Sequence, residues 1–227
     1  AQVFTFWPPV PPRTMFRGVS QVLPGTYWTI DASGKREVRY WDLDFTVRAT
    51  GHEGHEAERF EELFADAVRI RLRADVPVGV YLSGGIDSAA AAAAAAATSV
   101  HGDTRAGLQT FSIRFEDTRF DEGAEQAAVA GHLGLSNRFE LFSERELEAS
   151  LVDSVYSAES PALRTAFAPL HRLSRLAHAD GYKAVIAGEG ADEFLLGYDL
   201  FKEAKIRAFW ARRPASKRPG KLFKRIY

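Results

Sequence analysis

The strongest constraint on the fold is a regular alternation of strand-like and helix-like segments that begins near Val76. Helical patterns begin near Ser88, Asp121, Ser143 and Phe167. Between them lie four short runs rich in β-branched and aromatic residues: VPVGVYL, LQTFSIRF, NRFELF and YKAVIAG. This alternation predicts βαβ units, and therefore an α/β fold in which a parallel sheet carries helices on both faces. In such sheets ligands bind beyond the carboxyl ends of the strands.

The residues before this alternation follow a different pattern. TYWTID and REVRYWD flank Ala-Ser-Gly at 32–34, which predicts a β-hairpin. This opening section has no core of its own, so we expect residues 1–47 to be the edge of a domain that lies mostly outside this chain. We expect residues 48–227 to form the α/β domain, after a polar connector and a first helix with apolar residues at Phe60, Leu63, Phe64, Ala67, Val68 and Leu72.

Composition excludes several classes of protein. Hydrophobic residues make up 46% of the 227 residues and charged residues 26%, which is typical of a globular protein. The net charge of −1 gives no overall attraction to nucleic acid or to acidic membranes. Because cysteine is absent, a disulfide, a thiolate metal site and a cysteine nucleophile are excluded within this chain. No apolar stretch predicts a membrane span or a signal peptide, so we expect a cytoplasmic protein.

Nine successive alanines, Ala89 to Ala97, form the only low-complexity segment. Alanine is the best helix former, so a helix is expected there. A helix that covers a sheet normally buries larger apolar side chains, and this helix would bury little. Two explanations are open: the helix packs unusually close to its neighbours, or the nine letters do not represent the residues of the natural protein.

The first strand-like run ends in SGGIDS, directly before the alanine helix. Gly84 and Gly85 lack a Cβ, so the backbone can approach a ligand closely, and successive N–H groups at a helix N-terminus favour an anion. Ser83 and Ser88 add hydroxyl groups, and Asp87 adds a carboxylate suited to a hard cation such as Mg2+. The loop has no lysine, which excludes the phosphate loop of kinases and GTPases. The alternative is a glycine-rich turn that only connects strand to helix.

The last strand-like run is followed by AGEGADEFLLGY, which again places a glycine-bearing loop after a buried strand. This loop carries Glu189, Asp192 and Glu193. Because the carboxyl ends of parallel strands share one edge of a sheet, we expect the two acidic loops to meet at one site for a metal and a nucleotide. The alternative is a helix N-terminus stabilised by acidic residues. Asp192 and Glu193 fit that alternative, whereas Glu189, between two glycines, does not.

These motifs resemble a known family. SGGIDS resembles the pyrophosphate-binding loop of the N-type ATP pyrophosphatases, and its combination with GEGADEFLLGY resembles the asparagine synthetases that use glutamine. FRGVSQVLPGTYW and REVRYWD resemble the closing strands of the Ntn-type glutaminase domain in the same family. The resemblance covers nearly the whole chain with three motifs in the right order. It implies an adenine nucleotide α-hydrolase-like sheet preceded by the last strands of a glutaminase domain.

The resemblance also implies a ligase that binds ATP and Mg2+. In that chemistry the side-chain carboxylate of aspartate attacks the α-phosphorus of ATP, releasing pyrophosphate and leaving β-aspartyl-AMP. Ammonia drawn from glutamine then displaces AMP, which would place the protein in asparagine biosynthesis. The implied partners are small molecules, with no nucleic acid and no membrane, and a homodimer is one assembly that the resemblance allows.

The resemblance can be carried over residue by residue. Pyrophosphate and metal would be held by Ser83, Gly84, Gly85, Asp87 and Ser88. A second metal carboxylate would be Asp192. The adenosine pocket would be lined by Leu82, Ile113 and Gly188. Glu189, which we expect to be catalytic together with Asp87, stands where the asparagine synthetases carry Glu and the related β-lactam synthetases carry Tyr, and this favours asparagine-type chemistry.

Departures from the family pattern limit what these 227 residues are expected to do. The family's glutaminase nucleophile is an N-terminal cysteine, which this chain lacks. The family also continues into further helices that supply a lysine near the phosphates, so we expect this piece to be inactive by itself. Two alternatives stay open: a related ligase that acts on another carboxylate, and a degenerate nucleotide-binding module without catalysis.

Two further segments could suggest other functions. HEGHE at 52–56 contains histidines, but their spacing is not that of a zinc motif, so a solvated connector is the expected role. The chain from Lys202 to its end is strongly basic, which raises the question of nucleic acid. We favour an exposed helix and linker, because charge runs usually mark solvated faces.

Overall fold

The computed structural model describes residues 2–44, 54–100, 108–161 and 163–212. Its strands are β1 (Thr26–Asp31), β2 (Gly34–Arg39), β3 (Val78–Tyr81), β4 (Thr110–Phe115), β5 (Asn137–Phe142) and β6 (Ala184–Ile186). Its helices are α1 (Gln2–Phe6), α2 (Glu56–Arg71), α3 (Ile86–Val100), α4 (Gly123–Leu133), α5 (Glu144–Ala158), α6 (Phe167–Ala179), α7 (Ala191–Leu195) and α8 (Asp199–Arg212).

The four predicted strands form one sheet in the order β5-β4-β3-β6, and every neighbouring pair is parallel. This confirms the predicted parallel α/β sheet. β3 lies between β4 and β6, with Val80 opposite both Thr110 and Ile186. Two helix starts differ from the prediction by two residues: α3 begins at Ile86 rather than Ser88, and α4 begins at Gly123 rather than Asp121. The helical hydrogen bonds of α3 already start at the carbonyl of Gly85, which accepts from the N–H of Ala89.

Each face of the sheet has its own apolar core, because side chains alternate between faces along a strand. On one face Val80 and Leu82 pack with the alanines of α3 and with Val68 of α2. On the other face Phe111, fully buried, packs against Leu173 and Ala177 of α6. The sheet is therefore covered by helices on both faces, as predicted.

The N-terminal section contains the predicted hairpin. β1 and β2 pair in antiparallel fashion, with Asp31 opposite Gly34 at the turn. Among residues 2–44 none is buried, which agrees with the expectation that this section has no core of its own. Its assignment to the end of a glutaminase-type domain stays a prediction, and the predicted boundary at 47 and 48 lies outside the described residues.

Several other sequence features lie partly outside the described residues. These are the start of the HEGHE segment, at 52 and 53, and the basic residues from 213 onward. In the described part of the basic segment, Lys202 bonds to Asp199 at 2.6 Å and Arg207 pairs with Glu203. No helix among the described residues is both long enough and apolar enough to cross a bilayer.

The alanine helix packs tightly on one side only. Ala91, Ala92, Ala95 and Ala96 are buried in the core beside the sheet. Towards α2, however, the methyl side chains leave a cavity of about 910 Å³, with Phe60, Phe64 and Leu72 on its far wall. Close packing therefore does not explain the alanine run on the α2 side.

This asymmetry predicts opposite effects for the same substitution at two neighbouring positions. Ala94→Leu, which fills the cavity beside α2, is expected to raise the free energy of unfolding by about 1 kcal/mol. Ala92→Leu is expected to lower it by roughly 1–3 kcal/mol, because Ala92 is fully buried in the core and a larger side chain there would overpack it. Chemical denaturation of both variants checks this, and equal effects at the two positions would contradict the described packing.

Candidate functional site

The carboxyl ends of β3 and β6 bring the two motif loops into contact. β3 leads into residues 82–88 and β6 into residues 187–193, and these parallel strands are neighbours in the sheet. A methyl group at Gly188 would lie 2.8 Å from the amide nitrogen of Ser88 and 2.9 Å from the carbonyl carbon of Asp87. Only glycine fits at this contact, so the backbones of the two loops touch. This is the convergence that the sequence predicted.

The serine hydroxyls of SGGIDS shape the loop itself. Ser88 Oγ accepts from the N–H of Ser83 at 3.0 Å and donates to the carbonyl of Gly85 at 3.1 Å. Ser83 Oγ in turn accepts from the N–H of Gly85 at 3.2 Å. The loop is therefore held in a fixed turn at the start of α3, whose first N–H groups have no acceptor within the helix. That end of α3 faces the site with a partial positive charge.

Gly84 has a different partner. Its N–H donates to Oε2 of Glu122 at 2.8 Å, and a methyl group at Gly84 would lie 2.9 Å from Cβ of Glu122. Glu122 immediately precedes α4, and the sequence patterns did not single it out. Acidic residues are common at helix starts, so a glutamate at this position is not distinctive in the sequence. Its partner lies 38 positions away, and no local pattern predicts that contact.

A cavity of about 570 Å³ lies over these loops. It is lined by nine of the ten predicted site residues: Leu82, Ser83, Gly85, Asp87, Ser88, Ile113, Gly188, Glu189 and Asp192. The tenth, Gly84, is not among the described lining residues, but its N–H bonds to Glu122, which does line the cavity. The structure thus brings the predicted residues together in one place, while their roles stay predictions.

The cavity wall also includes residues that the sequence patterns did not indicate. They are Tyr81, Phe115, Glu122, Gln126, Leu170 and Leu173, together with Tyr198, which ends the AGEGADEFLLGY motif but was not singled out. Helix α6 contributes the apolar residues Leu170 and Leu173 to this lining. Their four-residue spacing at the start of a predicted helix places Glu122 and Gln126 on one side of that helix, but the spacing does not show what that side contacts.

The electrostatic character of the cavity is acidic. Five of the described lining residues carry carboxylates, namely Asp87, Glu122, Glu189, Asp192 and Glu193, and the described lining includes no Lys, Arg or His. The Tyr198 hydroxyl donates to Glu193 at 2.9 Å. This hydrogen bond, together with the nearby charges of Asp192 and Glu189, raises the pKa of Tyr198 above its ordinary value. A polyphosphate would bind here only with cations.

The tyrosine provides a test of this electrostatic description. Glu193→Gln removes the charged acceptor, so the pKa of Tyr198 is expected to fall towards its ordinary value. An ultraviolet titration of tyrosinate, corrected with the Tyr198→Phe variant, measures this. An unchanged titration curve would show that the Glu193 carboxylate does not act on Tyr198.

The donor set suits a magnesium ion that also binds phosphate. Asp87 and Asp192 both line the cavity. A methyl group at Gly197 would overlap the Asp192 carboxylate, so glycine at this position leaves room for that carboxylate. Within the described residues no cluster of three or more acidic or histidine side chains could hold a metal alone. Mg2+ is usually bound by one or two carboxylates together with substrate phosphates. The residues present fit that pattern.

The fold and the site define an α/β protein with a glycine-rich, acidic cavity at the carboxyl end of its parallel sheet. Comparison with protein families then identifies it: residues 59–226 match the asparagine synthase family. The chain belongs to this family, as the sequence motifs predicted.

Individual relatives agree with the family assignment. The chain is 36% identical over 213 residues to "Amidase chyE" of Penicillium rubens, covering 84% of this chain and 30% of that protein. It is 31% identical over 193 residues to "Asparagine synthetase [glutamine-hydrolyzing] 1" of Bacillus subtilis, covering 85% of this chain and 29% of that protein. The chain therefore spans about a third of the length of these relatives.

A solved structure also aligns with part of the chain. It is the NH3-dependent NAD synthetase of Campylobacter jejuni, with 20% identity and a TM-score of 0.43, covering 62% of this chain and 60% of that one. The family assignment does not depend on this weak likeness.

Proposed function

We propose that this chain is the ATP-binding part of an amidating ligase of the asparagine synthetase type. Its substrates would be ATP, the side-chain carboxylate of aspartate, and ammonia released from glutamine by another part of the protein. Membership of the asparagine synthase family supports the ligase class. The observation that carries the proposal is the contact of Gly188 with the backbone of Asp87 and Ser88, because it joins both family motifs in one cavity.

The proposed reaction has two steps. An oxygen of the aspartate carboxylate attacks the α-phosphorus of ATP, and the bond from that phosphorus to the bridging β-phosphate oxygen breaks, which releases pyrophosphate. Ammonia then attacks the acyl carbon, the bond to AMP breaks, and the amide forms with loss of one proton. Positioning and neutralisation of the departing charge supply most of the catalysis in chemistry of this kind.

Each proposed site residue then has a role. The loop of Ser83, Gly84, Gly85 and Ser88 would cradle the pyrophosphate at the N-terminus of α3. Mg2+ held by Asp87 and Asp192 would neutralise the departing pyrophosphate. Leu82, Ile113 and Gly188 would contact the adenosine. The Glu189 carboxylate, on the cavity wall, would accept the proton that the attacking ammonia loses.

Exchange of labelled pyrophosphate into ATP by the full-length protein tests this proposal. We expect exchange that depends on aspartate, because the first step is reversible before ammonia arrives. No exchange with any amino acid or β-amino acid would contradict a ligase and would favour a nucleotide-binding module without catalysis.

A second acceptor class is favoured by one specific observation. The relative named as an amidase, at 36% identity, is more similar to this chain than the Bacillus subtilis asparagine synthetase, at 31%. The same adenylation and amidation could therefore act on a different carboxylate. Exchange that depends on another acid but not on aspartate would support this alternative and leave the ligase class intact.

A further inference from the structure

The strands β3 and β4 part at the edge of the cavity. Along their parallel ladder the N–H of Leu82 donates to the carbonyl of Phe111 at 2.9 Å. Acceptors in such a ladder recur every two residues, so the next bond would join the N–H of Gly84 to the carbonyl of Ile113. At this step one side chain from the residue before α4 and one from its first turn take the place of the ladder bond.

Glu122 and Gln126 are those two side chains. Oε2 of Glu122 accepts from the N–H of Gly84 at 2.8 Å, and Nε2 of Gln126 donates to the carbonyl of Ile113 at 3.0 Å. They stand one helical turn apart, and the N–H of Gln126 donates to the carbonyl of Glu122. Residues 122–126, which we call the wedge, thus lie between the two strand ends and supply hydrogen-bond partners to the N–H of Gly84 and the carbonyl of Ile113.

The wedge is fixed in position by its surroundings. Asp121 pairs with Arg114 at 2.7 Å and accepts from the N–H of Phe115 at 3.1 Å. A methyl group at Gly123 would overlap the guanidinium of Arg114. Gln126 is only 2% exposed, and within the described structure its Oε1 has no hydrogen-bond partner. A buried amide with one end unpaired is costly, so the bond from its other end to Ile113 is the contact that explains its presence.

A carboxylate on a loop amide has the chemistry of a bound anion. Backbone N–H groups at the start of a helix favour a negative charge, and Glu122 supplies one from within the protein. Glu122 is itself exposed at the cavity wall, so its side chain can leave without unfolding the core. Nε2 of Gln126 already donates to the carbonyl of Ile113, the group that the next ladder bond from Gly84 would reach, and so competes with Gly84 for that acceptor.

We infer that Glu122 is an internal anion that holds the Gly84 N–H until pyrophosphate displaces it, and that Gln126 keeps this N–H available. Both are positioning residues in this account, and the inference rests on the proposed function. It assigns them opposite effects on ligand affinity. Loss of the Glu122 charge removes a competitor, whereas loss of the Gln126 amide lets Gly84 return to the ladder.

Calorimetric titration of the full-length protein with inorganic pyrophosphate and Mg2+ tests the inference. Glu122→Gln is expected to lower the dissociation constant about fivefold or more, because a neutral amide holds the N–H less strongly than a carboxylate. Gln126→Met is expected to raise it about fivefold. Glu125→Gln is the matched control, since Glu125 is exposed and its Cβ lies near Gly84, whose N–H bonds to Glu122 instead, and we expect less than a twofold change.

The outcomes separate the inference from the proposed function. Wild-type protein that binds pyrophosphate, with unchanged or weaker binding by Glu122→Gln, would overturn the inference and leave the proposed function standing. Failure of wild-type protein to bind pyrophosphate would contradict the proposed function and the inference with it. Thermal unfolding checks that each variant is folded. If Glu122→Gln is not, Glu122→Asp, whose shorter carboxylate withdraws from Gly84, is expected to tighten binding instead, and weaker or equal binding would again overturn the inference.

Discussion

Asp87→Asn in the full-length protein is expected to reduce pyrophosphate exchange into ATP by about 100- to 1,000-fold. Asparagine has nearly the same shape as aspartate, so the turn at the start of α3 is expected to survive. What is lost is the negative charge that the proposed Mg2+ requires, in a cavity where Asp192 is the other proposed metal carboxylate. The measurement is the exchange rate at saturating ATP and varied Mg2+.

Asp75→Asn is the matched control for this experiment. Asp75 is exposed and precedes β3, so it lies at the opposite end of that strand from the cavity. We expect its exchange rate to equal that of the wild type. A rate for Asp87→Asn within threefold of the wild type would refute the metal role of Asp87.

Gly188→Ala is expected to damage both stability and activity. The new methyl group would lie 2.8 Å from the backbone nitrogen of Ser88, so one of the two loops must move. Backbone cannot yield as a flexible side chain can, and we expect the free energy of unfolding to fall by roughly 1–3 kcal/mol. We expect exchange activity to fall by about 100-fold, because displacement of reacting groups by 1 Å can have that effect.

Gly131→Ala is the control for Gly188→Ala. Gly131 lies within α4 and a methyl group there would meet nothing within 4 Å. Alanine in a helix is favoured over glycine, so this variant is expected to be about 0.4–1 kcal/mol more stable than the wild type, with unchanged activity. If Gly188→Ala behaves like Gly131→Ala, the loop contact described here is not important for the site.

Periodicity was sufficient to predict much of the fold. The four strands and the helices between them follow from apolar patterns that each segment carries by itself, such as Phe60, Phe64 and Val68 on α2. The order β5-β4-β3-β6 was not predicted, because it depends on which strands pair across the sheet. The same holds for α7, whose five residues are too few for a helical pattern to be recognised.

The candidate site likewise contains residues that the sequence predicted and residues that it did not. Asp87 and Glu189 were predicted because each stands in a glycine-bearing loop after a strand, and parallel strands bring such loops together. Glu122 and Gln126 were not, since their importance depends on backbone groups of Gly84 and Ile113 that are distant in sequence. Hydrogen bonds of this kind become visible only when the parting of two strands is known.

Transfer of oxygen from the acceptor to AMP tests the central claim most directly. The full-length protein would be supplied with ATP, ammonia and aspartate carrying 18O in its side-chain carboxylate, and the AMP formed would be analysed by mass spectrometry. If the carboxylate attacks the α-phosphorus, one 18O atom appears in the phosphate of AMP for each amide formed. Formation of ADP and phosphate, or of AMP without 18O, would contradict the account.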